Sequence, residues 1–219
     1  MRASAVVAGY KPYLESIADL LDGQELISSG MTGEVERCRA ALVAAAGGRV
    51  VALVSSGDAG IYGMAGLALE LARAEGFDVP IEIVPGMTAA SAAAAALGAP
   101  LMLDFAVISL SDLLVPWDEI RVRLEAAAAG DLVTALYNPK SKKRVRQLEA
   151  TVEIFLRHRP PSTPVGVCTA AGTAEAVTVH CTLGELLDQD IGMRSLVIIG
   201  SRRSTVIDGR FVTTRGYEV

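Results

Sequence analysis

The run Ser55-Ser56-Gly57-Asp58-Ala59-Gly60-Ile61-Tyr62-Gly63 constrains this chain more than any other stretch. Before it, Arg49 to Val54 is short, apolar and β-branched, the composition of a buried parallel strand. After it, Met64 to Arg73 has helical composition and spacing. The glycines therefore mark a strand-to-helix turn, the usual ligand position in open α/β sheets. Glycine there permits positive φ and lets a ligand approach the main chain without meeting a Cβ. The pattern is neither GxGxxG nor a phosphate-cradling loop ending in Gly-Lys-Ser/Thr. Its one charge, Asp58, would repel a pyrophosphate and suits a ribose diol or a cationic group. A phosphate-free nucleoside bearing positive charge fits that description. So does a plain βα turn with Asp58 as the helix N-cap.

The rest of the chain narrows the class. Its 219 residues suffice for one large or two small domains. Small residues abound, with four Phe and one Trp, which favours closely layered helices on sheets over an aromatic core. A net charge of −5 argues against nucleic-acid binding driven by phosphate attraction. Cys38, Cys168 and Cys181 are scattered, without a CxxC, and read as reduced, buried thiols of a cytoplasmic protein. No basic start is followed by an apolar leader. Met87 to Leu103 is apolar but alanine-rich and broken by Gly98 and Pro100, a buried helix rather than a membrane span.

In order, Ser4–Tyr10 predicts a strand, Tyr13–Leu21 a short helix or turn, and Gln24–Ile27 an edge strand. Glu34–Ala46 predicts an amphipathic helix with Val35, Cys38, Leu42 and Ala45 on its inner face and Glu36, Arg37 and Arg39 off it. Pro80–Val84 predicts another strand, and Pro85-Gly86-Met87-Thr88 repeats the strand, glycine turn, helix arrangement. Thr88 is either a cap or a hydroxyl aimed at a ligand. Beyond a connection at Gly98–Asp104 come strands at Phe105–Leu110, Asp131–Tyr137, Thr163–Thr169, Ala174–Cys181 and Ser195–Gly200. Between them, helices are predicted at Trp117–Ala128, with Pro116 at N1, from the basic run at Lys140 to about His158, and at Leu183–Asp188. Alternation on both sides of the connection predicts two α/β domains, 1–103 and 104–219, with a cleft between them for a small molecule.

Metal chemistry has little support, since His158 and His180 are the only histidines and neither has ligand spacing. No GxSxG elbow is present for a serine hydrolase. The run Lys140, Lys142, Lys143, Arg144 and Arg146 is either a solvated helix face or a site-facing cluster for the carboxylates of an acidic small molecule.

The stretch Ser55–Gly66 resembles the signature of the precorrin-3B C17-methyltransferase branch, cobalt-pathway counterparts included, of the tetrapyrrole (class III) methylases. Further matches follow in order: Val7–Lys11, Val84–Ala90, Leu101–Leu113, Pro116-Trp117, Leu136–Lys142, His158–Pro161, Val206–Arg210 and Arg215–Tyr217. The resemblance spans nearly the whole chain. It implies the two-domain fold of these methylases, S-adenosyl-L-methionine as cofactor, a tetrapyrrole substrate and a homodimer. The implied activity is methylation of C17 of precorrin-3B or its cobalt form, with ring contraction, in cobalamin biosynthesis. Alternatives are a neighbouring precorrin methylase, a non-catalytic nucleoside-binding module and, third, a dinucleotide oxidoreductase.

By the same resemblance, Ser56, Gly57, Asp58, Ile61, Tyr62, Pro85, Thr88, Ala89, Tyr137, Asn138 and Ala171 would contact the cofactor. Lys140, Lys142 and Lys143 would face the substrate's acid side chains, and Asp112 and Ser109 are the candidates for proton transfer. No metal is implied. Two departures stand out. Nothing before Val6 supplies the family's first strand and Gly-x-Gly-Pro-Gly loop, so either a late recorded start or a damaged first domain is expected. Thr169-Ala170-Ala171-Gly172-Thr173 lacks the arginines the family more often carries there.

Overall fold

The computed structural model describes residues 1–218, which divide into two compact units, one up to Thr88 and the other from Ala89 onward. The sequence expectation set the division after residue 103. By contacts, the alanine-rich segment after Thr88 belongs with the second unit, because its side chains pack into that unit's core.

In the first unit, β1 (Val6–Tyr10), β2 (Glu25–Ser29) and β3 (Val51–Val54) form a parallel sheet in the order β2-β1-β3. β1 is central, and its Val6, Val7 and Ala8 are wholly buried, as expected of a strand apolar on both faces. β2 is the edge strand the sequence suggested. The expected helix at 13–21 is two shorter pieces, α1 (Lys11–Ser16) and a 3-10 turn at Ala18–Leu20.

Helices α2 (Glu34–Ala46) and α3 (Ala65–Glu75) close a small core of Cys38, Leu42, Met64, Ala68 and Ala72. The inner face of α2 is rotated from its expected position. Arg37, Cys38, Ala41 and Leu42 are buried, whereas Val35 is exposed. The i, i+4 pairs 37/41 and 38/42 share this stripe, so Arg37 is drawn inside. Pro80–Val84 is not a strand: it carries no ladder, and Ile83 and Val84 are exposed. Among the described residues β3 pairs only with β1.

The second unit is built on a mixed sheet, β5-β6-β9-β7-β8, from β5 (Phe105–Ser109), β6 (Val133–Tyr137), β7 (Pro164–Thr169), β8 (Val177–Thr182) and β9 (Ser195–Ile199). β5 and β6 are parallel, and the remaining pairings are antiparallel. Alternate residues face opposite layers. Val165, Val167, Val197 and Ile199 join one core with α5 (Trp117–Ala129), α6 (Arg146–Leu156) and the 3-10 segment Leu183–Asp188. Cys168, Leu196 and Ile198 join the other with α4 (Ala89–Leu97). A Cβ at Gly166 would come within 2.5 Å of Leu97, so the glycine in β7 is what lets α4 lie so close to the sheet.

Two-residue β4 (Gly98–Ala99) pairs with the hairpin β10 (Ser204–Ile207) and β11 (Arg210–Thr213), which periodicity did not suggest. Pro116 is the N-cap of α5 rather than its first residue. α6 begins only at Arg146, so Lys140–Arg144 lie in a loop and not on a helix face. No described helix is long and apolar enough to cross a membrane.

Candidate functional site

In the first unit the glycine turn is folded by its own carboxylate. Asp58 Oδ1 accepts the Gly60 N–H at 2.8 Å, and Oδ2 accepts the Gly86 N–H at 2.9 Å. These donors, Gly86 foremost, hold the Asp58 carboxyl below the ordinary range by stabilising its ionised form. Asp58 is therefore not the cap of α3; Ser55 is nearer that role, its Oγ accepting the Met64 N–H at 3.1 Å. A Cβ at Gly86 would lie 2.1 Å from the Gly57 carbonyl oxygen, so the two glycine segments touch through bare main chain. Ser56, Gly57, Pro85, Ile61, Tyr62 and Met87 are all exposed around this junction, and Thr88 is half-buried beside it in sequence. Tyr62 holds a left-handed φ of 54°, a conformation that a residue with a Cβ keeps only where its surroundings enforce it.

In the second unit the carboxyl ends of β5 and β6 carry the remaining residues. The Tyr137 hydroxyl accepts the Ala90 N–H at 2.8 Å, tying the start of α4, and with it Ala89, to β6. Asn138, at φ 49°, donates from Nδ2 to Ser109 Oγ at 3.0 Å, and its carbonyl accepts Arg144 Nη2 at 2.8 Å. Ser109 Oγ also accepts the Ser111 N–H at 3.2 Å. Asp112 is exposed, and its Oδ2 accepts Gln147 Nε2 at 2.7 Å. Lys142 and Lys143 are exposed and Lys140 half-buried. Ala171 is half-buried in a turn whose neighbour Gly172 lies against Ala92. Among the described residues no cluster of three His, Cys, Asp or Glu could hold a metal ion.

Residues 1–187 match the family model described as Tetrapyrrole (Corrin/Porphyrin) Methylases. The chain is a tetrapyrrole methylase. A Salmonella typhimurium protein named "Probable cobalt-factor III C(17)-methyltransferase" is 45% identical to this methylase over 217 residues, 99% of this chain and 90% of that protein. The "Cobalt-factor III methyltransferase" of Priestia megaterium is 43% identical over 100% of this chain, which spans only 41% of the Priestia protein. Among solved structures, that of the methyltransferase CobJ superposes with a TM-score of 0.89 at 36% identity, covering 96% of this chain and 89% of the other. A uroporphyrin-III C-methyl transferase from Thermus thermophilus, complexed with S-adenyl homocysteine, shares the fold at TM-score 0.68 and 23% identity, covering 91% and 86% of the two chains.

Ser55, Gln147 and Arg37 of this methylase make contacts that the sequence reading did not assign to them. Ser55 meets the Met64 N–H only because the glycine turn doubles back over nine residues. Gln147 and Arg37 carry no local signal: each is one polar residue on a helix, and only the packing shows which way it faces. The junction fits an adenosyl cofactor in one respect that can be checked residue by residue. Exposed main chain at 56–57 and 85–87, together with the exposed apolar Ile61 and Met87, offers a bare surface for a nucleoside.

Proposed function

We propose that this methylase transfers the methyl group of S-adenosyl-L-methionine to C17 of precorrin-3B or its cobalt form, with ring contraction, in cobalamin biosynthesis. The observation that carries the reading is identity of 43–45% across essentially the full chain with relatives named for methylation of cobalt-factor III. When bound, the cofactor supplies an activated methyl on a sulfonium.

The chain's own contribution is positioning, which converts a bimolecular encounter into a fixed geometry. Ser56, Gly57, Ile61, Tyr62, Pro85, Thr88, Ala89, Tyr137, Asn138 and Ala171 are the residues we assign to cofactor contact. Asp58 acts one step behind them by fixing Gly60 and Gly86. Ser109 Oγ already accepts two hydrogen bonds, from Asn138 and Ser111, so its own hydrogen points to an acceptor outside these partners. We assign Ser109 to hydrogen-bond donation toward an oxygen gaining charge on the substrate. Asp112, exposed and steadied by Gln147, is the base we assign to the proton removal that ring contraction requires. Lys140, Lys142 and Lys143 supply a cationic loop for acetate and propionate side chains. The homodimer implied by the family resemblance belongs to the same proposal.

Incubation of the purified chain with methyl-labelled S-adenosylmethionine and cobalt-factor III should place label in the tetrapyrrole fraction. Binding of S-adenosylhomocysteine without such turnover would mark a nucleoside-binding module instead.

A further inference from the structure

Arg37 is 4% exposed, yet no carboxylate among the described residues pairs with it. Its Nη1 donates to Ser29 Oγ, and its Nη2 lies 3.9 Å from Met64 Sδ, a weak acceptor. Nε is buried and, like those of Arg144 and Arg159, has no hydrogen-bond partner among the described residues. Glu34 and Glu36, on the same helix, are exposed and form no ion pair with it. A buried guanidinium with five N–H donors normally meets an anion, because an unpaired charge out of water is strongly unfavourable.

The position is as informative as the vacancy in its hydrogen bonding. Ser29 ends β2, and Met64 leads into α3 directly after the glycine turn that follows β3. Both lie at the carboxyl edge of the parallel sheet, where open α/β sheets bind their ligands.

We propose that Arg37 holds a ligand carboxylate at this edge, displacing the flexible Met64 thioether from Nη2. Two sources present that chemistry: the methionine portion of the cofactor and the acid side chains of the tetrapyrrole. The choice between them rests on the methylase reading above, whereas the anion site does not.

The test follows the Arg37 Nε–Hε resonance of the intact ¹⁵N-labelled chain, identified by its loss in Arg37→Lys. S-adenosylhomocysteine, methylthioadenosine (the same nucleoside sulfur without a carboxylate) and uroporphyrin III are added in turn. A saturable shift with S-adenosylhomocysteine and none with methylthioadenosine assigns the cofactor's carboxylate; a shift with uroporphyrin III assigns the substrate's. In either case Arg37→Gln should weaken that ligand by about tenfold or more, and Arg37→Lys should recover part of the loss. If the resonance stays still at saturation with every ligand, or if Arg37→Gln binds all three as the wild type does, the proposal is overturned. Should Arg37→Gln fail to fold, the wild-type titration decides alone. Methyl transfer is assayed separately, so loss of the functional reading leaves this result standing.

Discussion

Asp58 holds Gly86: one carboxylate oxygen takes the Gly86 N–H at 2.9 Å while the other takes that of Gly60 at 2.8 Å. Residues 28 positions apart in the chain thus share one hydrogen-bonded clamp. Both oxygens of the carboxylate that local chemistry offered to a ribose or a cation are engaged with main chain. Its effect on a ligand is to shape the wall that the ligand meets.

Removing the clamp should show as lost affinity before it shows as lost fold. Asp58→Ala is expected to weaken S-adenosylhomocysteine by about tenfold or more in calorimetric titration, with Asp58→Asn intermediate because its amide has one acceptor oxygen. The pH dependence has a definite sign. Gly86 and Gly60 lower the Asp58 pKa in the folded chain, so the clamp's contribution is complete above the unfolded value of about 3.9. It is lost as pH falls through the lower, folded value. The affinity difference between wild type and Asp58→Asn should therefore be level from about pH 8 to pH 5 and vanish only in stronger acid.

Gly86→Ala tests the contact on the other side of the clamp. The added methyl would sit 2.1 Å from the Gly57 carbonyl oxygen, where only main chain can yield. A loss of roughly 1–3 kcal/mol in urea unfolding is expected, together with lost cofactor affinity. Gly66→Ala is the control: it lies in α3 with nothing within 4 Å, and should stabilise by up to about 0.5–1 kcal/mol.

Arg159 is also buried and its Nε likewise lacks a hydrogen-bond partner, but its terminal nitrogens have more acceptors than those of Arg37. Its guanidinium donates to the carbonyls of Gly200, Leu132 and Ala127, lies over the Phe155 ring at 4.8 Å, and faces Asp131 at 3.5 Å. Arg159→Met would take the guanidinium from the Gly200 carbonyl and leave Asp131 without its buried cation, while Ala127 and Leu132 keep the Leu132 N–H and the Thr134 hydroxyl. A destabilisation of about 3 kcal/mol, read from a lower urea midpoint at unchanged slope, is expected, without a change in S-adenosylhomocysteine affinity of the folded protein.

The thiols offer a check on burial. Burial raises the Cys38 and Cys168 pKa values and, with help from Glu185, pushes Cys181 up to about 11. At pH 7.5 almost no thiolate is then present to react. Labelling by a disulfide reagent should be slow in the native chain and rapid for all three cysteines in urea.

Periodicity and turn chemistry alone determined a good deal. The β-branched run before Ser55 had to be a strand, the glycines after it had to turn, and the alternation beyond Phe105 had to build a second α/β layer, because each of these follows from neighbours in sequence. Tertiary structure decided the rest. Pro80–Val84 has the composition of a strand but no ladder, since a strand exists only where another backbone takes its hydrogen bonds. Arg37 looked like a solvent residue and is buried, since the rotation of a helix is set by what packs against it. Asp58 looked like a helix cap and clamps two glycine segments, since its second donor, Gly86, is distant in the chain and is brought near only by folding.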